Sequence, residues 1–600
     1  MRIKEYLLSS ILAVFIAWSQ FILLKPHLQY GFSDVDWGFL SIYKTENPYS
    51  PSRFIEFLQR GGTLGGVYTH QIYYIGIQND LFGLNFQSFQ ITTHVFKILA
   101  ILVMFPLFLA ISGSSLVAFI STIFFGFSYS AVGTMYTVVT SSDYSAIFSM
   151  GIFVSFYWYV VKKNTGNWAL LFLLLLLLIL TLFLSTERMY QLPLFIALTE
   201  VFIFWQRRKL GRSIVKRLLV MLLPVILIFL VRPMVFLSYF LSHVVEIVQG
   251  IFAGNWNLLL TPLVALGSII IPHDYTKFLG VAKMDTFGSF LGFIIAGPLF
   301  TLVITSIAIG ILVFKRFYIA IQILFITIIF SLLLFILGSH STTHQISVEA
   351  MMQSLIGFYI LAISIVSLLY WIKSKDRLLV GLFAGPFLAF LYIFLTWLGA
   401  ATTEIFAGIH RYLTIPALFM SVFLGTLFTI MFINLYTSLY KYKSLRFFAL
   451  TIFIPLLFFI HLNSQEIRTF FNYQLMSGFG ASDKNLMRNQ LTGYLNSLSR
   501  DKPSLFYFDF TEDNEKGYYY DNTLLGGFRT WMLWHKNINF NIDISPDVFW
   551  NNIEILKASI IEKDNKKLFH YKDKYYEIED FYAFKLKDKK VIDIKDSILK

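Results

Sequence analysis

Gly31-Phe32-Ser33-Asp34-Val35-Asp36-Trp37-Gly38-Phe39-Leu40-Ser41-Ile42-Tyr43-Lys44 follows within a few residues of the first apolar run, Tyr6–Leu24. Two carboxylates thus stand hard against the end of a stretch long enough to cross a bilayer. Acids in that position are either solvated or used, and the flanking Phe32, Trp37 and Phe39 argue against free solvation. Ordinary loop acids are the alternative. Asp34 and Asp36 are two residues apart, so they share a face only if the backbone is extended; on a helix they diverge by about 200°. The stretch reads as an extended lip of the first exterior loop.

Outward from this stretch the chain is apolar. Of its 600 residues 56% are hydrophobic, 18% aromatic and only 14% charged, and the mean hydropathy is +0.66. That balance excludes a soluble globular domain and indicates a polytopic membrane protein. The net charge of +13 does not indicate nucleic acid, because Lys and Arg fall in short clusters between apolar runs, where they act as a topology signal. The chain has no cysteine and no Asn-x-Ser/Thr sequon. With its Ile, Phe, Lys and Asn usage, this fits a bacterial inner membrane better than a secretory-pathway membrane. Arg2 and Lys4 precede the first apolar run without a small-residue cleavage site after it, as in a retained signal anchor.

Windows of roughly 17 to 25 apolar residues mark about thirteen spans. They are Tyr6–Leu24, Ile91–Ile111, Leu116–Val132, Tyr144–Val161, Trp168–Leu184, Tyr190–Trp205, Ile214–Leu230, Phe287–Phe314, Phe317–Leu337, Ala350–Ile372, Leu378–Leu398, Tyr412–Leu435 and Leu445–Leu462. With the N-terminus in the cytoplasm, the basic clusters at Lys162-Lys163, 206–217, Lys315-Arg316, 373–377 and 441–446 are all cytoplasmic. The exterior then receives 25–90, 232–286, 338–349 and 463–600. Val235–Phe252 and Leu258–Ile271 are apolar enough to enter the membrane, as interfacial helices or an extra hairpin. The expected architecture is mainly α: a transmembrane helical bundle over 1–462, with its first exterior loop at 25–90, followed by a small extracytoplasmic α/β domain at 463–600. In that domain Ser504–Phe510 and Lys567–Asp580 read as strands and a hairpin, and Leu486–Leu498 as a helix.

Further polar residues recur at exterior ends of spans: His70, His94, Asp143, Glu187-Arg188, His340, His344 and His410-Arg411. For each alone, an interfacial side chain reaching water or pairing locally is the plainer reading. Together on one side they point to a polar cavity opening outward. His340 and His344 have zinc-ligand spacing, but their Gly, Ser and Thr-rich surroundings do not favour the helix such a site needs.

These motifs, in this order, resemble the GT-C superfamily of polytopic glycosyltransferases, most closely its protein mannosyltransferase-like branch. Phe32–Leu40 is similar to the family's acidic motif in the first exterior loop. Leu81-Phe82-Gly83-Leu84-Asn85 with Gln90–His94, Ser142-Asp143, Leu184–Arg188 and His410–Pro416 follow in the family's order. Three departures stand out: Val35 splits the acid pair, Arg188 replaces the frequent pattern of Lys before the Glu, and the tail lacks the Trp-Trp-Asp signature of oligosaccharyltransferase catalytic subunits.

The resemblance implies an inverting transfer of a sugar, hexosyl or pentosyl, from a polyprenyl-phosphate-linked donor to a glycan, lipid or protein acceptor outside the cytoplasm. Such a transfer needs one base for the acceptor hydroxyl and cations for the departing phosphate. Asp34 is the expected base. Asp36 is expected to orient the acceptor, tune Asp34, or join it in holding a divalent cation, Mg or Mn, the one cofactor the reading allows. Arg411, with His410 and Arg188, is the expected phosphate site; Glu187, His94, Asp143 and Tyr412 are expected to line the substrate. A polymerase or ligase of polyprenyl-diphosphate-linked glycans, and a flippase of lipid-linked sugars, are the competing readings. Besides donor and acceptor, membrane lipid is the expected partner and nucleic acid is not.

Overall fold

The computed structural model describes residues 3–29, 31–32, 34–45, 49–52, 69–163, 166–183, 192–193, 196–197, 200, 212–231, 233–271, 298–339, 348–374, 376, 378–399, 411–440, 443–476, 490–491, 504–509, 547–550, 560–563, 566–571, 574–587 and 590–599. Among them, 7 helices are long and apolar enough to cross a membrane, at Ser10–Gln29, Phe86–Leu109, Val138–Lys163, Ala350–Ser374, Leu379–Leu398, Thr414–Ser438 and Ala449–Asn472. Shorter apolar helices accompany them, including Ser115–Phe127, Trp168–Leu182 and Phe317–Phe330. The chain is therefore an integral membrane protein, mainly α, with a small C-terminal sheet region. It divides into two compact units: Met1–Leu23 with Phe96–Thr134 and Asp143–Ile467, and Leu24–Val95 with Met135–Ser142 and Arg468–Lys600.

In the first unit the apolar windows fold as helices because a bilayer satisfies no backbone amide, so each span must close its own hydrogen bonds. The first helix shows the resulting division of faces: Leu12, Ile16 and Gln20 are buried at intervals of four, while Leu7, Val14 and Trp18 are exposed and apolar, as lipid contact requires. Where helices meet, small residues let backbones approach. A Cβ on Gly267 would stand 1.9 Å from the Gln353 carbonyl oxygen, and one on Gly357 would stand 2.2 Å from that of Leu263. The Thr261–Ile270 and Val348–Ser374 helices are thus packed backbone to backbone through paired glycines. Polar groups inside this unit are mostly paired. The Glu200 carboxylate receives Arg217 through Nε at 2.5 Å and Nη2 at 2.9 Å, plus the Tyr157 hydroxyl at 2.8 Å.

Several boundaries differ from the apolar windows. The Leu116–Val132 window ends as a helix at Phe127, and a 3-10 segment covers Tyr129–Tyr136, a run rich in Ser, Gly and Thr. The last window begins as the 3-10 segment Lys443–Phe453, and the α-helix starts at Ile454 with Pro455 in its first turn. That helix runs past Leu462 to Met476, because Ile467 and Phe471 keep its buried stripe going. The unit boundary accordingly falls at Ile467 and not after Leu462. Tyr190–Trp205 lies largely outside the described residues, and Leu486–Leu498 does so except for positions 490 and 491.

The second unit is built around a sheet ordered β2-β1-β6-β7. Here β1 is Leu505–Asp509, β2 Asp547–Trp550, β6 Phe581–Lys587 and β7 Lys590–Asp593. β1 runs parallel to both β2 and β6, and β7 closes an antiparallel hairpin on β6. A smaller antiparallel sheet follows the order β3-β4-β5 at Ile560–Lys563, Lys566–Tyr571 and Lys574–Glu577. The alternation of side chains along a strand gives the larger sheet two buried faces. Leu505, Tyr507, Phe581 and Ala583 pack with Phe569, Tyr576 and Ile598. Phe506, Phe508, Tyr582 and Phe584 instead join Phe32, Trp37, Phe39, Leu40, Tyr43, Ile72, Ile75 and Phe89 in a single core. The tail is therefore no free-standing appendage: one face of its sheet shares a core with the segment that carries the acidic motif.

Candidate functional site

The acidic stretch is a helix, Asp34–Thr45, and not an extended lip. The apolar residues Trp37, Leu40 and Tyr43 recur every three positions, and burying them together with Phe39 requires one helical face. Asp34 opens the helix. Positions 34 and 36 consequently diverge by about 200° around the axis. Among the described residues no group of at least 3 His, Asp, Glu or Cys gathers that could hold a metal.

Asp36 is 0% exposed. Its Oδ1 accepts the Val139 amide N–H at 2.9 Å. Val139 belongs to a short helix, Val138–Ser141, capped by Thr137, whose hydroxyl accepts the Thr140 amide at 3.1 Å. The Ser141 hydroxyl donates to the Val138 carbonyl at 2.5 Å, so the Thr93 hydroxyl, 2.8 Å away, must donate to Ser141. Tyr74 stands 3.5 Å from the same oxygen, and burial pushes its phenol above the ordinary range. His70 Nε2 lies 3.0 Å from the Ser142 hydroxyl. The 137–142 segment is thus the hub where a buried acid, two hydroxyl-bearing helices and an imidazole converge.

A second polar group of this unit is a histidine pair. His27 and His94 are buried and stacked, with ring centroids 5.3 Å apart, and His27 Nδ1 lies 3.1 Å from His94 Nε2. His27 Nε2 is 2.7 Å from the Met135 carbonyl, which can only accept. That fixes the proton on His27 Nε2 and leaves Nδ1 to accept from His94 Nε2–H. His94 is thereby held by another side chain inside the unit.

On the same unit's Asp34–Thr45 and Thr69–Phe82 helices, the Tyr43 hydroxyl donates to Asp80 Oδ2, which also receives the Tyr49 hydroxyl at 2.9 Å. Burial and the neighbouring carboxylate hold the Tyr43 phenol far above its usual range. The contact depends on Gly76, where a Cβ would lie 2.1 Å from the Tyr43 ring.

Of the residues singled out in the sequence, Asp36, His70 and His94 lie in the second unit, Asp36 and His70 on the 137–142 segment and His94 in the histidine pair. Asp143 and Tyr412 are buried in the first, Asp143 opening the Asp143–Lys163 helix and Tyr412 within the 3-10 turn Arg411–Leu413. The backbones of Asp34 and Arg411 are described. Glu187, Arg188, His340, His344 and His410 lie outside the described residues. The sequence reading missed His27 and the Thr137–Ser141 hub; its signal was a run of small hydroxyl residues, Thr137 and Thr140-Ser141-Ser142, inside otherwise apolar chain. Lys97, a buried lysine inside the Phe86–Leu109 span, was not singled out either.

No family model matches the chain, and no curated protein sequence matches it. Among solved structures, ArnT from Cupriavidus metallidurans bound to undecaprenyl phosphate is similar at 11% identity and a TM-score of 0.27, over 90% of this chain and 86% of that one. The same protein in its apo state is similar at 10% identity and a TM-score of 0.30, over 96% and 93%.

Proposed function

We propose that this protein is an inverting glycosyltransferase of the GT-C type, moving a sugar from a polyprenyl-phosphate-linked donor to an acceptor on the extracytoplasmic face of the membrane. The observation that carries the reading is the buried Asp36 carboxylate bound to the Val139 amide, in the stretch whose residues resemble the GT-C acidic motif. A fully buried side chain cannot touch an acceptor, so Asp36 is a positioning residue that fixes the first turn of the Asp34–Thr45 helix. Asp34, at the start of that helix, is the base. In the reaction the acceptor oxygen bonds to the anomeric carbon as the carbon–oxygen bond to phosphate breaks. The proton passes to Asp34, and the charge leaves on the lipid phosphate. Arg411, His410 and Arg188 are proposed to face that phosphate, and Glu187, His94, Asp143 and Tyr412 to line the remaining substrate. No step requires a metal. The cytoplasmic basic clusters support the outward orientation, and the same composition supports a bacterial inner membrane.

The test is transfer of labelled sugar from a panel of polyprenyl-phosphate donors into cell-envelope fractions, at equal membrane abundance of each variant. Asp34→Asn is expected to abolish transfer while leaving donor binding intact. Asp36→Asn keeps an acceptor for the Val139 amide and is expected to retain measurable transfer. Full activity of Asp34→Asn removes the base assignment. Protein-dependent crossing of lipid-linked sugar with no donor consumed establishes a flippase instead, and growth of a diphosphate-linked chain establishes a polymerase or ligase.

A further inference from the structure

The Asp80 carboxylate is exposed on the Thr69–Phe82 helix, at the end nearest the Phe86–Leu109 span. The Tyr43 and Tyr49 hydroxyls both donate to its Oδ2, Tyr49 at 2.9 Å. Among the described residues its Oδ1 makes no hydrogen bond, and no Lys, Arg or His pairs with it. The Tyr49 ring, 60% exposed, stands edge-on to Tyr43 at 5.9 Å and tilted against Tyr73 at 6.5 Å. An exposed carboxylate with one open oxygen is thus bordered by aromatic rings. Apolar surface begins beside it. Ile77, Asp80 and Leu81 share one helix face at i, i+3 and i+4 spacing, and Ile77, Leu81, Phe82 and Leu84 are all exposed. Gly83, at φ 60°, turns the chain toward the span, with only Gly83-Leu84-Asn85 between the two helices. Inside the span Ile91 and Val95 are exposed in turn, as lipid contact requires.

This continuity with the span puts Asp80 at headgroup depth, with Ile77 and Leu81 at the acyl boundary. A carboxylate at that depth is repelled by lipid phosphate and attracted by lipid ammonium. A tie between the Asp34–Thr45 and Thr69–Phe82 helices accounts for the phenols on Oδ2, but not for the open Oδ1 or the exposed Tyr49 ring. An ammonium meets both: its N–H groups donate to Oδ1 while its charge lies against the ring. Sugar hydroxyls would also suit a tyrosine beside a carboxylate, but not the exposed aliphatic side chains next to them. We propose that Asp80 and Tyr49, with Ile77 and Leu81, form a surface site for a lipid whose headgroup carries an ammonium, of the phosphatidylethanolamine class. The site recognises the ammonium and not the phosphate, and the inference stands apart from the transferase reading.

Native mass spectrometry of the detergent-purified full chain tests this with phosphatidylethanolamine and its N-acetylated form, which keeps the phosphate and acyl chains but loses the positive charge. The wild type is expected to hold phosphatidylethanolamine at least about tenfold more tightly than the acetylated lipid, the scale of one charge-assisted hydrogen bond. Asp80→Asn still offers an acceptor to both phenols and should reduce that preference to less than about threefold. Tyr49→Ala should weaken phosphatidylethanolamine binding about twofold to fivefold, the scale of an exposed cation–π contact. Because that side chain is exposed, the second variant keeps the test available should Asp80→Asn fail to fold. Equal binding of the two lipids by the wild type overturns the site, as does an ammonium preference unchanged in both variants. Displacement of the lipid by an equal concentration of glycerophosphoethanolamine, which has no acyl chains, overturns the membrane source. Displacement by a neutral oligosaccharide in the wild type but not in Tyr49→Ala overturns the lipid in favour of a glycan.

Discussion

Two buried charges in this protein are held in opposite ways. Asp36, in the unit that carries the acidic stretch and the sheet, has a backbone amide aimed at its carboxylate at 2.9 Å. Lys97, in the helical unit, has no hydrogen-bond partner for its side-chain nitrogen among the described residues. Burial without a partner is what a low-dielectric interior penalises most, so the first group is stabilised where it lies and the second is held at a cost. Glu200 and Arg217 belong with Asp36, although they lie in the helical unit. The distinction therefore separates kinds of group and not merely kinds of region.

The sharpest way to break that comparison is to unpair a charge that is structural. Arg217→Ala strands the buried Glu200 carboxylate and is expected to cost about 3 to 5 kcal/mol, read as a lower unfolding transition in detergent, while the apolar double replacement Glu200→Leu with Arg217→Met recovers most of it. Asp36→Ala comes next. Losing the charged acceptor of the Val139 amide should cost about 1.5 to 3 kcal/mol, and Asp36→Asn less than half as much by the same measurement. Two glycines of the same unit test whether its packing is as tight as its polar pairing. Gly76→Ala must displace the Tyr43 ring and should cost about 1 to 3 kcal/mol. Gly38→Ala meets nothing within 4 Å and should stabilise the helix by about 0.5 to 1 kcal/mol. The smallest effect has the opposite sign to the charge deletions: Lys97→Met should raise the unfolding transition slightly. A clear fall there would mean that Lys97 is paired structurally after all.

Much of the helical unit was legible in the chain. The windows from Tyr6–Leu24 to Tyr412–Leu435 coincide with helices wherever their residues are described, with the shortening noted after Phe127, because a bilayer leaves an apolar run little choice but to close its own hydrogen bonds. The β1 strand and the Lys567–Asp580 hairpin were legible from alternation. Less of the candidate site could be read. The aromatic neighbours of Asp36 single it out in the sequence, but its conformation was not legible: two acids in a polar loop look extended until the spacing of Trp37, Leu40 and Tyr43 is weighed against a partner surface. His94 was marked, whereas His27 was passed over because it lies far from His94 in the chain.

The sequence by itself determined that this is a membrane protein, where its chain runs apolar, and that acids and histidines recur near the ends of its apolar runs, since composition and period are local properties. Only the tertiary structure decided which of those groups meet. Val139 answers Asp36 across 103 positions, and Met135 answers His27 across 108. The same is true of the sheet's second face, where Phe506 and Phe508 pack with Phe32 and Trp37 and so place the tail and the acidic stretch in one core. Partnership between distant groups is settled by the burial of whole surfaces, and no local pattern encodes which surface will be opposite.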